Sequence, residues 1–409
     1  MAAGIDASQL VGIEQVRAAQ QLLEGVVRHT PMEGSRPLSG RVGGPAFLKC
    51  ENLQRAGSFK IRGAYVRISR LTDEERSRGV VAASAGNHAQ GVALAAGLLG
   101  TKATVFMPIG APLPKIAATK AYGATVHFTG HTVDEALVVA KQHAAETGAT
   151  LIHPFDHPDI VAGQGTVGLE ILEQCPEVKT IVVGTGGGGL ISGIAVAVKA
   201  LRPDVRVVGV QAEGAAAFPG SLAAGHPVAL GSMSTIADGI AVGCPGEVTY
   251  AHVSALVDDI RTVPEEAISR ALLLLVERAK LVVEPAGAAS VAAVLQETGR
   301  YEPPLVAVLS GGNIDPVLLL RVLQHGMAAA GRYLSFRMRI PDSPGSLAKL
   351  LALLADEGAN VLDVEHQRTG PRLHLGEVEV ALSVETRGAD HCDELLGALR
   401  GMGYPLSFG

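Results

Sequence analysis

Six short β-branched runs punctuate the first four-fifths of the chain: GVVAAS from Gly79, ATVFMP from Ala103, ATVHFT from Ala124, TIVVGT from Thr180, VRVVGV from Val205 and PLVAVLS from Pro304. Between them lie Ala/Leu-rich segments with helical spacing. This alternation is the strongest constraint on the fold, because it predicts parallel strands joined by crossover helices. The runs are apolar on both faces, so the sheet is expected to be covered by helices on each side. In such sheets ligands sit at the carboxyl ends of the strands. Chemistry is therefore sought just after each run.

Beyond about residue 330 the pattern changes. RYLSFRMRI (332–340) alternates with period two, and SPGSLAKLLALLADEGA reads as a helix opening on Ser343 and Pro344. NVLDVEHQ and EVEVALSVE read as strands, ADHCDELLGALRGMG as a helix, and YPLSF as a closing strand. The order βαββαβ is the ferredoxin-like pattern. It predicts a separate domain over 332–409, with 326–331 as the linker and 1–325 as the first domain, into which a smaller subdomain of about 52–150 is inserted.

The formal charge is 34 minus 40, or -6, without a long basic run, which argues against nucleic acid or an anionic membrane as partner. The four cysteines form no C-x-x-C pair, as suits a reducing cytoplasm rather than a disulfide framework or zinc site. Asp6, Glu14 and Arg17 interrupt any signal-peptide core at the N-terminus, and no later stretch reaches about 18 uncharged apolar residues. A soluble cytoplasmic protein acting on small molecules is expected.

Three strand ends carry polar loops. After TIVV comes GTGGGGLISG (184–193), then a helical segment; strand, glycine loop and helix N-terminus together make an anion cradle. Gly184, Gly186 and Gly189 also satisfy G-x-G-x-x-G, with Glu213 at the end of the next strand, so the loop alone leaves a dinucleotide and a smaller phosphorylated cofactor both open. After GVVAA come Ser84, Ala85, Gly86, Asn87 and His88, which suit either a carboxylate or an ordinary helix cap. SGGNID follows PLVAVL. Among these loops stands Lys60, in GSFKIRGA; burial lowers a lysine's pKa, and a neutral lysine is a nucleophile able to form an imine.

The motifs SFKIRGA, SAGNHAQG, AGQGT, GTGGGGL, VEPAGA and SGGN, in this order across residues 10–325, resemble the fold-type II pyridoxal-phosphate enzymes, related in fold to tryptophan synthase β, and specifically the threonine and serine dehydratases. The resemblance implies two open, mostly parallel sheets. It implies pyridoxal 5'-phosphate held as an imine on Lys60, with Phe59 against its ring, Asn87 at its phenolic oxygen, Glu284 at the ring side of the pocket, and Gly186, Gly187, Gly188, Gly189 and Leu190 around its phosphate. Ser310 would face the pyridine nitrogen, and a hydroxyl there favours β-elimination over transamination. The loop Ser84, Ala85, Gly86, Asn87 and His88 would take the substrate carboxylate. The implied reaction removes water and ammonia from L-threonine or L-serine, leaving a 2-oxo acid.

Two departures refine this. Serine racemases carry a serine acid/base where this chain has Ala85, and an asparagine where it has Phe155. Metal-activated relatives place a second acid six residues beyond the position of Glu213, where this chain has Pro219; a monovalent cation held by carbonyls near Glu213 and Ala217 is the remaining expectation. The C-terminal domain resembles an ACT domain through PDSPGSL and GANVLDV. That likeness implies an amino-acid effector such as L-isoleucine at Asp342, Ser343, Gly345, Ser346, Leu347 and Asn360, and a homodimer or homotetramer.

Overall fold

The computed structural model describes residues 10–297, 299–368, 373–403 and 405–408. Asp6 and Tyr404, named above, lie outside them. The chain forms two compact units that divide between Leu319 and Leu320.

The first unit holds two sheets. The larger runs, in spatial order, Met32–Gly34, Ala46–Lys49, Leu305–Val308, Thr180–Gly184, Arg206–Ala212 and Asp259–Val263; all neighbours are parallel except the first pair. The smaller is parallel throughout, in the order Thr125–Phe128, Ala103–Met107, Val80–Ala83 and Thr150–Leu151. All six sequence runs are strands. Four further strands, Met32–Gly34, Ala46–Lys49, Thr150–Leu151 and Asp259–Val263, lacked a long apolar run to announce them. The expectation of burial on both faces holds for the interior strands but not for Thr125–Phe128, an edge strand whose Thr125, His127 and Phe128 are exposed.

Each central strand delivers its chain into a loop that opens a helix: Val80–Ala83 into Asn87–Leu98, and Thr180–Gly184 into Gly189–Leu201. The helix Pro158–Gln174 starts with proline at its first position and with His157 Nδ1 accepting the Asp159 amide, a capped start that suits proline's fixed φ. It crosses Gly189–Leu201 backbone to backbone, where a Cβ on Gly193 would collide with the Gly165 amide and the Val161 carbonyl. The AGQGT motif thus lets two buried helices approach closely.

In the second unit the sheet order is Asn360–Gln367, Glu377–Glu385, Tyr333–Pro341 and Leu406–Ser407, antiparallel throughout, with the helices Ser346–Asp356 and Ala389–Gly401 supplying Leu350, Leu354, Leu395 and Leu399 to its core. The first of these helices begins at Ser346 rather than at Ser343, because Gly345 at φ 90° turns the chain before the helical hydrogen bonds can start. Helix Pro316–Ala329 runs through most of the segment 326–331, with Val322 and Gly326 buried.

Candidate active site

Lys60 is the first residue of the helix Lys60–Ser69, and its Nζ donates to the Pro154 carbonyl at 2.8 Å while lying 5.1 Å from the Phe59 ring centroid. Desolvation brings its pKa down from 10.5 to about 8, against the opposing pull of the Glu284 carboxylate. The Phe59 amide donates to the Ser310 carbonyl, and Ser58 bridges to Gly311, so the start of this helix is pinned to the end of strand Leu305–Val308.

A row of amides and one acid runs beside it. Glu284 caps the helix Pro285–Gln296, is 3 % exposed, and accepts from Asn87 Nδ2 at 2.5 Å; Asn87 Oδ1 in turn accepts from Asn313 Nδ2 at 2.9 Å, and that nitrogen also reaches the Ala56 carbonyl at 2.7 Å. Gly311 abuts both Glu284 and Asn87 so closely that no side chain fits there. Burial raises the Glu284 pKa to about 7, reinforced by Asp238 and opposed by Lys115, the Asn87 hydrogen bond and Lys60. Lys115 Nζ pairs with Asp238 at 2.6 Å, joining the smaller sheet's layer to the short turn Asp238–Ile240.

The glycine loop completes the site. The N-terminus of Gly189–Leu201 has no side-chain cap, and among the described residues nothing accepts from the N–H groups of Gly186, Gly187 and Gly188, of which Gly187 and Gly188 are buried. Buried donors without acceptors are costly, about 1–3 kcal/mol each, unless a ligand fills the role. A Cβ on Gly187 would fall inside the Phe155 ring and one on Gly189 would approach Phe155 Cβ to 3.0 Å, so glycine is what leaves this cradle room. Positive helix-end charge and converging N–H groups fit a phosphate monoester.

Ser84 Oγ accepts the Gly86 amide at 3.1 Å and Gly86 is the helix cap, so neither Ser84 nor Asn87 caps Asn87–Leu98 with its side chain. Ala85 is half-buried and offers no hydroxyl. The His88 ring is buried against the Ile152 carbonyl at 2.8 Å, and desolvation holds its pKa down near 3, so the ring stays neutral and engaged away from any carboxylate. His153 Nδ1 accepts the Asp156 amide at 2.8 Å, and its ring packs edge-on against Phe155. Sequence reasoning passed over Asn313, Lys115 and Asp238. Asn313 closes the SGGN motif and could have been found there; the Lys115–Asp238 pair has no local signal.

Glu213 is exposed in the short turn Glu213–Ala215, and Ala217 opens the helix Ala217–Ala224. Among the described residues no group of three or more His, Cys, Asp or Glu could hold a metal ion.

The second unit carries a groove of about 340 Å³. It is lined by Asp342, Ser343, Gly345, Ser346 and Leu347, as the sequence suggests, but also by His366 and Arg368, the latter 3.5 Å from Asp342. Asn360 does not join them. It pairs with Glu385 at one end of the sheet, whereas the turn follows Pro341, which pairs with Glu377 at the other; the antiparallel register puts the two at opposite ends of one chain's sheet.

The family model for pyridoxal-phosphate dependent enzymes matches residues 23–311, and that for the ACT domain matches residues 335–401. An L-threonine ammonia-lyase of Thermotoga maritima is 46% identical over 97% of this chain and 99% of its own length. One from Geobacter sulfurreducens is 45% identical over 95% and 97%. Among solved structures, the threonine deaminase from T.th. superposes with a TM-score of 0.71 at 43% identity, covering 74% of this chain and 99% of that one. Maize serine racemase gives 0.73 at 41%, covering 76% and 96%.

Proposed function

This chain belongs to the pyridoxal-phosphate-dependent enzymes and carries a C-terminal ACT domain; from that premise we propose that it is an L-threonine ammonia-lyase, converting L-threonine to 2-oxobutanoate and ammonia, with L-serine giving pyruvate as a lesser reaction. The observation that carries the reading is the lysine amine, lowered to about pKa 8, set beside a buried acid–amide row.

The N–H groups of the loop Gly186, Gly187, Gly188, Gly189 and Leu190 would hold the cofactor phosphate, Phe59 would pack against its ring, Asn87 would meet its phenolic oxygen, Glu284 would stand at the ring side, and Ser310 would face the pyridine nitrogen. When bound on Lys60, pyridoxal phosphate supplies an electron sink that acidifies the substrate's Cα–H. The residues do the rest. Lys60 Nζ, partly neutral near pH 7, would take the Cα proton and hold it. The loop Ser84, Ala85, Gly86, Asn87 and His88 would fix the substrate carboxylate through backbone N–H groups, so that only one face of Cα meets Lys60. On the opposite face Ala85 has no proton to give, which favours elimination over the racemisation named for the maize neighbour.

The groove at Asp342 to Leu347 would bind an amino-acid effector, L-isoleucine first among candidates, with His366 and Arg368 added to the expected contacts. Asn360 would reach such a ligand only from a second copy of the chain, which fits a homodimer or homotetramer. A monovalent cation near Glu213 and Ala217, and a cytoplasmic setting, belong to the same reading. No helix of the described residues is long and apolar enough to cross a membrane.

The test is 2-oxo acid release from L-threonine and from L-serine by the cofactor-loaded protein, with and without L-isoleucine and with potassium exchanged for a bulky cation, beside Lys60→Ala. Threonine turnover that vanishes in the variant supports the lyase; a cofactor-loaded protein that releases no 2-oxo acid from either substrate sinks it.

A further inference from the structure

Two residues beyond Lys60, on the opposite side of the same helix, the Arg62 guanidinium is wholly buried. Its Nε and Nη2 grip Glu51 side-on, both at 2.8 Å, while Nη1 donates to Glu170 at 2.6 Å and to Thr166 at 3.0 Å. The other Glu170 oxygen takes Lys49 Nζ at 2.5 Å, and Lys49 also reaches the Thr30 carbonyl at 2.9 Å. Thr30 Oγ1 closes the circuit on Glu51 at 2.6 Å. Two cations and two anions thus balance with almost no solvent: the side chains of Arg62, Lys49 and Glu51 are 0% exposed and that of Glu170 is 7%.

None of these groups takes part in the chemistry described above, and stability is a weak reason for them. Buried ion clusters repay their desolvation only partly, and apolar side chains of the same volume often serve as well. A planar fork does something an apolar contact cannot: it fixes direction. Elsewhere the helix Lys60–Ser69 is tied at its two ends, by the Phe59 amide on the Ser310 carbonyl and by Arg67 and Arg70 on the Asp159 carboxylate, and its middle meets bare backbone. A Cβ on Gly163 would sit 2.6 Å from Gly63 Cα, and one on Gly91 3.0 Å from the Lys60 carbonyl carbon, so bare backbone meets backbone on two sides. Phe59, at its N-cap, makes no side-chain cap bond. Glycine surfaces of this kind set no side-chain ridge against rotation about the helix axis, so between its tied ends the fork is the directional contact. With the backbone on a cylinder of roughly 2.3 Å radius and a lysine side chain adding roughly 6 Å, a turn of about 10° carries Nζ through roughly 1.4 Å. A displacement of about 1 Å in a reacting group can cost on the order of a hundredfold in rate.

We infer that Arg62 is a positioning residue: its fork on Glu51 and Glu170 sets the rotation of the helix Lys60–Ser69 and thereby aims the Lys60 amine at the reacting atoms. The inference rests on the lyase reading for its kinetic arm only.

The test uses the full chain loaded with pyridoxal phosphate, in two variants. Arg62→Lys keeps the charge and loses the fork; the double variant Arg62→Met with Glu51→Gln removes one cation and one anion together. Three readouts are taken: the visible circular dichroism of the bound cofactor, which reports how asymmetrically Lys60 holds it; kcat and KM for L-threonine; and Tm. Arg62→Lys is expected to fold, to lose at least half of the visible dichroism per bound cofactor, and to drop kcat by about a hundredfold while KM changes less than about threefold. Variants that keep the wild-type visible dichroism and kcat while only Tm falls would show a structural brace and overturn the inference. Failure of both to fold would overturn it too, since the cluster would then serve stability. A wild-type protein that binds cofactor but leaves threonine untouched defeats the lyase reading, and the dichroism then decides this one alone.

Discussion

Glu284 is the group whose behaviour can be worked through most fully from the structure. It is buried beside Asn87, and its carboxyl titrates near pH 7 instead of 4.5, a difference of 7 minus 4.5, or about 2.5 units. At 1.36 kcal/mol per unit this is about 3 kcal/mol. The sign follows from proton counts. Between pH 4.5 and 7 the folded chain keeps a proton on Glu284 that the unfolded chain has given up, so stability falls as pH rises through this window. The stabilisation is fully present below about pH 4.5 and gone above about pH 7. Glu284→Gln is neutral at every pH and still offers Asn87 Nδ2 an acceptor, so the variant lacks the slope.

With the cofactor removed, the variant should equal the wild type near pH 4.5 and exceed it by about 3 kcal/mol near pH 8. The measurement is urea unfolding of both proteins at the two pH values, followed by a probe in the first unit. Lys60 does not confound the comparison, because its lowered pKa makes stability rise only above about pH 8. Equal stability differences at both pH values would refute the reasoning, and would mean that Glu284 keeps its charge in the fold through a partner such as Lys115 or Lys60.

Other outcomes follow from the same geometry. Gly187→Ala should cost about 1–3 kcal/mol in overpacking against Phe155 and weaken pyridoxal phosphate binding, and trimming Phe155 to leucine in the same chain should restore part of both, as thermal melts and cofactor titration would read. Cofactor capture by Lys60 should speed up as pH rises from 6 toward 8, because about a tenth of an amine of pKa 8 is neutral at pH 7 against roughly one in 3,000 for an ordinary lysine at 10.5; a stopped-flow pH series checks the midpoint. Gly345→Ala, at φ 90°, should destabilise the second unit by about 1–2 kcal/mol and blunt any isoleucine response while leaving basal threonine turnover unchanged.

What the sequence made legible follows a physical division. The runs TIVVGT, VRVVGV and PLVAVLS carry their own burial in their composition, and the strand-end rule then points at Gly186, Ser84 and Ser310 without any knowledge of packing. A glycine such as Gly188, at φ 95°, is equally transparent, since the left-handed turn it makes is a local need. Strands without an apolar β-branched run, such as Thr150–Leu151 and the charged Asp259–Val263, are not, because their pairing comes from neighbours far along the chain. The start of the helix at Ser346 was missed for a related reason: SPGS looks like a capped start, but whether the turn ends at serine or at the glycine depends on φ at Gly345.

The least legible part of the site is its charge pairing. Lys115 and Asp238 are 123 residues apart, Arg62 and Glu170 are 108, and nothing in the composition around either acid announces its partner. Yet these pairs control what the legible residues can do. Asp238 and Lys115 push the Glu284 pKa in opposite directions, so breaking their pair would move the acid that touches Asn87. Arg62 holds the helix on which Lys60 begins. A chain could keep SFK, GNH and the glycine loop intact and still place its amine badly if Glu51 or Glu170 changed. For proteins that share these motifs, the acids opposite the arginine of SFKIRGA therefore belong beside the lysine in judging whether the amine is well placed.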